Sequence, residues 1–244
     1  KEFLELHPEV DVLVLQETKC KDDNFPELDI RMLGYDVVHY GLSQYNGVAI
    51  ISKEDLIEPS WSLGIDNDPY IKDGRVISAI VNGITIVSVY CPNGRDIESE
   101  HYEWKLEWFD HLHKYLKDLL AKNENVVVLG DFNIAPEDKD VYDISKVAMT
   151  THITQKERDK LTNLYKLGFV DAYRHLYPDG EGFTYWDYRN GDFNNNRGLR
   201  IDLAIVSQPL VSKIKEVEVL RESRIGDSPS DHAAMLLELD LLSS

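Results

Sequence analysis

The chain is short of several things, and each shortage removes a class of protein. Two cysteines in 244 residues, Cys20 and Cys91, cannot build a disulfide framework, and they have no metal-ligand spacing. Both fall close to the ends of expected strands and read as reduced structural thiols. No stretch approaches the roughly 18 apolar residues that cross a bilayer, and no basic-then-apolar leader opens the sequence. The expectation is a soluble protein of the cytoplasm with no membrane partner. Basic residues are scarce as well: 26 Lys and Arg stand against 44 Asp and Glu, a net charge of −18. As a sum, that charge argues against a polyanionic partner. Locally it does not, because carboxylates that hold a divalent cation count as negative yet create a positive site. A phosphate-cradling glycine loop is missing, and so is a serine or cysteine elbow before a helix, which turns the reading away from P-loop and covalent chemistry. No repeat, low-complexity tract or flexible linker divides the chain, and 43% hydrophobic residues suffice for one sizeable core.

What is present is organised around Val126-Val127-Val128-Leu129-Gly130-Asp131-Phe132-Asn133. Four apolar residues make a buried strand, Gly130 breaks it, and Asp131 and Asn133 emerge two positions apart, able to point the same way. Alone, Gly-Asp after a strand reads as readily as a turn. Elsewhere, Lys1 to Leu6 resembles the end of an amphipathic helix, and Val10 to Leu15 is a buried strand that delivers Glu17 much as the organising strand delivers Asp131. Phe25 to Leu33 reads as short helix or irregular chain, and Tyr35 to Tyr40 and Gly47 to Ser52 as strands. Arg75 to Val81 and Ile84 to Tyr90 flank Asn82-Gly83, a dipeptide suited to a type I′ hairpin turn. That hairpin runs out into Tyr90-Cys91-Pro92-Asn93-Gly94, where Pro92 ends the pairing.

Glu98 to Lys122 carries Tyr102, Leu106, Phe109, Leu112 and Leu116 at helical spacing, with His101, His111 and His113 as surface residues. Pro136 to Val147 reads as polar loop. Thr154 and Glu157 form a capping box that starts a helix running to Leu167 and stopping at Gly168. Phe169 to Gly182 reads as irregular, and an aromatic cluster, Phe183 to Tyr188, precedes an amide- and arginine-rich stretch with Arg197 and Arg200. Strands follow at Leu203 to Val206, Lys213 to Leu220 and Ala233 to Leu239, the last preceded by Ser230-Asp231-His232. Hairpins with few, long helices predict two mostly antiparallel sheets packed together with helices outside, in one domain. In such sheets Glu17 and Asp131, at strand carboxyl ends, meet Asp202, Asp231 and His232, at amino ends, along one rim with Tyr90, Asn93 and Asn133. Hard carboxylate oxygens suit Mg²⁺ or Mn²⁺, an Asp beside a His can orient and charge the imidazole, and metal-assisted hydrolysis by water fits the inventory.

Six segments taken in order, Leu15 to Lys19, Asn46 to Ile50, Tyr90 to Gly94, Gly130 to Pro136, Asn196 to Asp202 and Ser230 to Ala233, resemble the motif series of the exonuclease III family of apurinic/apyrimidinic (AP) endonucleases, in the endonuclease/exonuclease/phosphatase superfamily. The resemblance implies a four-layered α/β sandwich of two mixed, mostly antiparallel sheets flanked by helices, as a single catalytic domain over residues 1–244. It implies Mg²⁺-dependent cleavage 5′ to abasic sites, with 3′ to 5′ exonuclease and 3′-phosphodiesterase activity. The implied partner is double-stranded DNA with abasic sites or blocked 3′ ends, bound by a monomer. Carried over, Glu17 ligates the metal with Asp231 assisting, and Asp131 and Asn133 sit at the metal and attacking water. His232, oriented by Asp202, steadies the scissile phosphate, which Tyr90 and Asn93 also approach. Tyr185, Leu199 and Ile201 line the pocket for the base-less sugar, and Arg197 and Arg200 belong to the substrate side.

The family begins with a strand that this sequence starts after, and Asn194-Asn195-Asn196 stands where relatives often place a basic residue, predicting weaker backbone grip. Two other readings compete: a phosphoesterase of the same superfamily acting on a non-DNA ester, and a nucleic-acid-binding regulator that kept the fold and lost catalysis.

Overall fold

The computed structural model describes residues 2–42, 44–60, 74–147 and 150–242; Lys1 of the expected leading helix lies outside them. The chain divides into two compact units, residues 1–90 with 114–130 and residues 91–113 with 131–244.

The first unit starts with α1 (Glu2–Leu6), β1 (Val12–Gln16), α2 (Glu27–Met32), β2 (Asp36–Tyr40) and β3 (Val48–Ser52). β3 lies between β1 and β2 with both pairings antiparallel, Leu13 opposite Ile51 and Val38 opposite Ile50. A strand covered on both faces reads as continuous apolar residues, and every residue of β3 is buried. Leu4 of α1 and Ile30 of α2 close over Val37 and Ile51, so these two short helices cover one face of the sheet. Next come β4 (Ile57–Ser60), which the pattern reading did not anticipate, β5 (Val76–Val81) and β6 (Ile84–Tyr90). Asn82 and Gly83 take φ of 50° and 78°, as a type I′ turn requires, and the hairpin register follows. α3 (Glu100–Lys122) contributes its residues from 114 onward to this unit, and β7 (Val126–Asp131) lies beside β6.

Alternation along these strands builds layers. Ser88 accepts from Gln16 (2.9 Å) and donates to the Leu15 carbonyl (3.3 Å), fastening β6 to β1. Ser88 pairs with Ile77 and Ser78 with Val87, so Ser78 faces the opposite way, and there it meets the Tyr115 hydroxyl of α3 at 2.8 Å. Within this unit the order is helices, sheet, sheet, helix. Gly130 makes the closest backbone approach: at φ 144°, a Cβ there would lie 2.0 Å from the Val89 carbonyl oxygen.

The second unit contains α4 (Ile144–Val147), α5 (Gln155–Tyr165), β8 (Phe169–Asp171), α6 (Ala172–Leu176), β9 (Asp202–Ser207), α7 (Gln208–Val211), β10 (Ile214–Leu220) and β11 (Ala234–Leu239). β8 pairs antiparallel with β9, and β10 with β11. The capping box forms as expected: Thr154 Oγ1 accepts from the Glu157 amide, and Glu157 returns a carboxylate oxygen to the Thr154 amide. Three expectations need correction. Phe169 to Gly182 is not wholly irregular, since it carries β8 and α6, and α5 ends two residues early at Tyr165. The loop from Pro136 to Val147 contains a 3-10 turn at Asp138–Asp140 as well as α4. Phe183 and Trp186 of the aromatic cluster are core residues packed on Ala233.

Candidate active site

Asp131 is the first residue past the glycine that lets β7 approach β6. Its Oδ1 accepts from the Asn133 amide (2.8 Å) and its Oδ2 from the Asn133 side-chain nitrogen (3.1 Å). That two-point grip requires Asn133 to take φ of 50°, a left-handed conformation that Asn tolerates better than most residues. The same nitrogen donates to the Cys91 carbonyl (2.8 Å), while Oδ1 of Asn133 faces the Asn93 amide at 3.4 Å. Asn133 therefore turns its amide hydrogens, not its oxygen, toward Asp131. Both residues are buried; Asn93 stands exposed beside them.

His232 precedes β11, and its Nδ1 donates to Asp202 Oδ2 at 2.7 Å, Asp202 being the first residue of β9. Its other nitrogen lies 4.0 Å from Asp131 Oδ2. Burial alone would favour the neutral ring. The Asp202 charge, its hydrogen bond, and the charges of Asp131 and Asp231 outweigh that and push His232 up to about 10. At neutral pH that favours the imidazolium, with a proton on each nitrogen and a donor to offer an anion. The buried Thr184 hydroxyl fixes the start of β9 by accepting from the amides of Ile201 (3.2 Å) and Asp202 (3.1 Å).

Tyr185 bridges to both Leu199 and His232, its ring centroid 5.1 Å from the imidazole. Burial first, then Asp187 and Asp231, push its hydroxyl up to about 12, so it stays a neutral phenol. Leu199 and Ile201 join Ala135, Val141 and Ile153 in a core cluster beneath it. Ile201 is 2% exposed and packs with Leu199 and Tyr185.

Arg200 departs from its expected place on the substrate side. Arg200 is fully buried, with Nε 2.7 Å from Asp140 and a terminal nitrogen 3.1 Å from Asp171, so it ties the 3-10 turn to the end of β8. Arg197 donates to Asp192 (2.8 Å) and to the Asn190 carbonyl, bracing its own loop. The Asp231 carboxylate bears on His232 through charge, and its backbone carbonyl accepts from Trp186.

In the first unit, Glu17 follows β1 at φ 51°, a left-handed turn stabilised by the Thr18 amide on the Gly47 carbonyl (3.2 Å) and the Lys19 amide on Asn46 (2.9 Å). Its carboxylate is partly exposed, 3.3 Å from Lys19 Nζ. Tyr90 ends β6, with the Arg75 guanidinium 4.8 Å above its ring.

Pattern reading passed over Lys105 and His152. Lys105 occupies a core position of α3 between Tyr102 and Phe109, and a lysine on the apolar stripe of a helix is the signal that was available.

The model of the endonuclease/exonuclease/phosphatase family matches residues 1–232. Recombination repair protein 1 of Drosophila melanogaster is 37% identical over 234 residues, 94% of this chain and 33% of that protein, so the chain spans about a third of that relative's length. A 3′-5′ exonuclease from Neisseria meningitidis superposes with a TM-score of 0.93 at 37% identity, covering 98% of this chain and 93% of the other. An AP endonuclease from Archaeoglobus fulgidus gives 0.92 at 33% identity, covering 98% and 92%. The α/β fold of several sheets flanked by helices is that of these neighbours. The chain belongs to the endonuclease/exonuclease/phosphatase family, on the exonuclease III side that the sequence motifs resemble.

Proposed function

We propose that this chain is a divalent-metal-dependent DNA repair nuclease that cuts the phosphodiester 5′ to abasic sites and trims blocked 3′ ends. The observation that carries this reading is the imidazolium of His232, charged by Asp202 and set 4.0 Å from a carboxylate, Asp131, that Asn133 holds from two sides. One group supplies positive charge for a phosphate in the transition state, and the other accepts a proton from water.

In the second unit Asp131 offers a hard oxygen donor for Mg²⁺ or Mn²⁺, with Asp231 as a further carboxylate, and in the first unit Glu17 offers another. The bound cation would supply charge against the phosphate oxygens. In the hydrolysis, water oxygen bonds to phosphorus as Asp131 takes one of its protons, the P–O3′ bond breaks, the departing 3′ oxygen takes a proton from solvent water, and Asp131 returns its proton to solvent. His232 and Asn93 steady the non-bridging oxygens, and Tyr185 lies against the sugar. The names of the Neisseria and Archaeoglobus relatives support the 3′-end and abasic-site activities respectively.

The test is a labelled duplex with one synthetic abasic site, and a second duplex ending in a 3′-phosphate, each with Mg²⁺ or EDTA and with the cut ends mapped. Mg²⁺-dependent incision immediately 5′ to the site is expected. Hydrolysis of soluble inositol phosphates with both duplexes left intact would overturn the reading.

A further inference from the structure

Lys105 is fully buried, and its ammonium group reaches four acceptors: Glu157 Oε1 at 2.6 Å, the Asn133 carbonyl at 2.6 Å, the Asn93 carbonyl at 3.1 Å and Thr151 Oγ1 at 3.2 Å. Its charge is balanced by Glu157, which is equally buried and which also accepts from the Thr151 hydroxyl (2.6 Å) and the His152 amide (3.0 Å). Burying such a pair costs several kcal/mol per ion before any attraction is counted, so stability alone is a poor reason for it. The two carbonyls it grips belong to the two asparagines of the site. A second donor converges on the same oxygen, because His152 Nδ1 lies 2.7 Å from the Asn133 carbonyl, where only an N–H can make the bond.

We infer that Lys105, with Glu157 and His152, is a positioning device that locks the Asn133 backbone so that its amide and side chain hold the Asp131 carboxylate in place. Asn133 sits in the left-handed region, and a residue stays there only when its surroundings over-determine it. Two donors on one carbonyl do so from below, and the two bonds to Asp131 transmit the constraint upward. Lys105 grips the Asn93 carbonyl as well, so one ammonium group sets the spacing of both amides from beneath. The inference rests on the proposed role of Asp131 in hydrolysis.

The test compares Lys105→Met, the double variant Lys105→Met/Glu157→Gln, and Lys105→Arg. Lys105→Met alone leaves Glu157 buried and unpaired and should melt well below the parent. The double variant removes both charges and should recover part of that loss, its single amide oxygen serving either the Thr154 cap or the Thr151 and His152 donors, yet it cannot restore the donors to the carbonyls. Its kcat on the abasic duplex should stay about 100-fold down with KM changed less than about threefold. Amide exchange of residues 131–135 should quicken about tenfold while that of β5 is unchanged. Lys105→Arg, which keeps charge and donors, should restore most of kcat. A double variant that regains kcat together with its melting temperature overturns the inference, as does unchanged exchange at 131–135. If the double variant does not fold, His152→Gly decides the matter, since glycine suits the φ of 85° at that position. A kcat reduced about tenfold at parental stability supports the inference, and a kcat within twofold overturns it. An unmutated chain that leaves the abasic duplex uncut would instead refute the nuclease reading, while the exchange data would still judge the positioning.

Discussion

Replacing Asp202 with Asn tests the electrostatics of the site. His232 is raised from 6.5 to about 10, and at about 1.4 kcal/mol per unit that amounts to roughly 5 kcal/mol in favour of the imidazolium. Asp131 and Asp231 share in it, but Asp202 adds both charge and a 2.7 Å hydrogen bond, so about half, ~2–3 kcal/mol, is a fair assignment to it. The group is raised in the folded state, so its stabilising contribution is complete below the ordinary histidine value and is lost as pH rises through about 10. Urea unfolding in EDTA should therefore show the Asp202→Asn deficit at full size near about pH 6, shrinking toward about pH 9.5. Turnover at neutral pH should fall by about 10²–10⁴, because the imidazole is no longer held charged and oriented. Equal stability deficits at both pH values would show that Asp202 acts through packing, and the account of His232 as a fixed cation would be lost.

Asp131→Asn should fold normally and lose about three orders of magnitude in turnover; near-parental rates would remove Asp131 from the mechanism. Glu17→Gln should raise the Mg²⁺ concentration for half-maximal activity about tenfold, and an unchanged titration would contradict its role as a ligand. Gly130→Ala should cost about 3 kcal/mol or more, read as a drop in melting temperature, because its Cβ meets the Val89 carbonyl at 2.0 Å and the φ of 144° is strained for any side chain. A melting temperature within a degree or two, on the scale of about 0.5 kcal/mol, would mean that β7 can move away from β6.

Where a signal was local, the residues announced the structure. The Asn82-Gly83 hairpin and the Thr154–Glu157 box each depend on neighbours within a few positions, and each formed as read, whereas Gly130 does not break its strand, which runs on to Asp131. β8 was hidden because three residues carry no period; Phe169 to Asp171 become a strand only by pairing with β9. Arg200 looked like a substrate contact because it sits among arginines and amides before a strand. Its partners, Asp140 and Asp171, are 60 and 29 residues away in sequence, a distance over which no pattern reading can pair charges. The Asp202–His232 pair was legible because a known motif series supplied the long-range link that spacing could not.

The cap of α5 places a limit on how this protein can be improved. Glu157 gives one oxygen to the start of its own helix and the other to Lys105, Thr151 and the backbone beneath Asn133. Helix caps are ordinary targets for stabilising libraries, because exchanging residues there is usually harmless to function. Here the same carboxylate is both a folding signal and, through Lys105, a strut beneath the Asn133 carbonyl. A library at residues 154 to 157 ranked by melting temperature alone should enrich variants that are sturdier and slower, so selection there needs a turnover screen beside the thermal one.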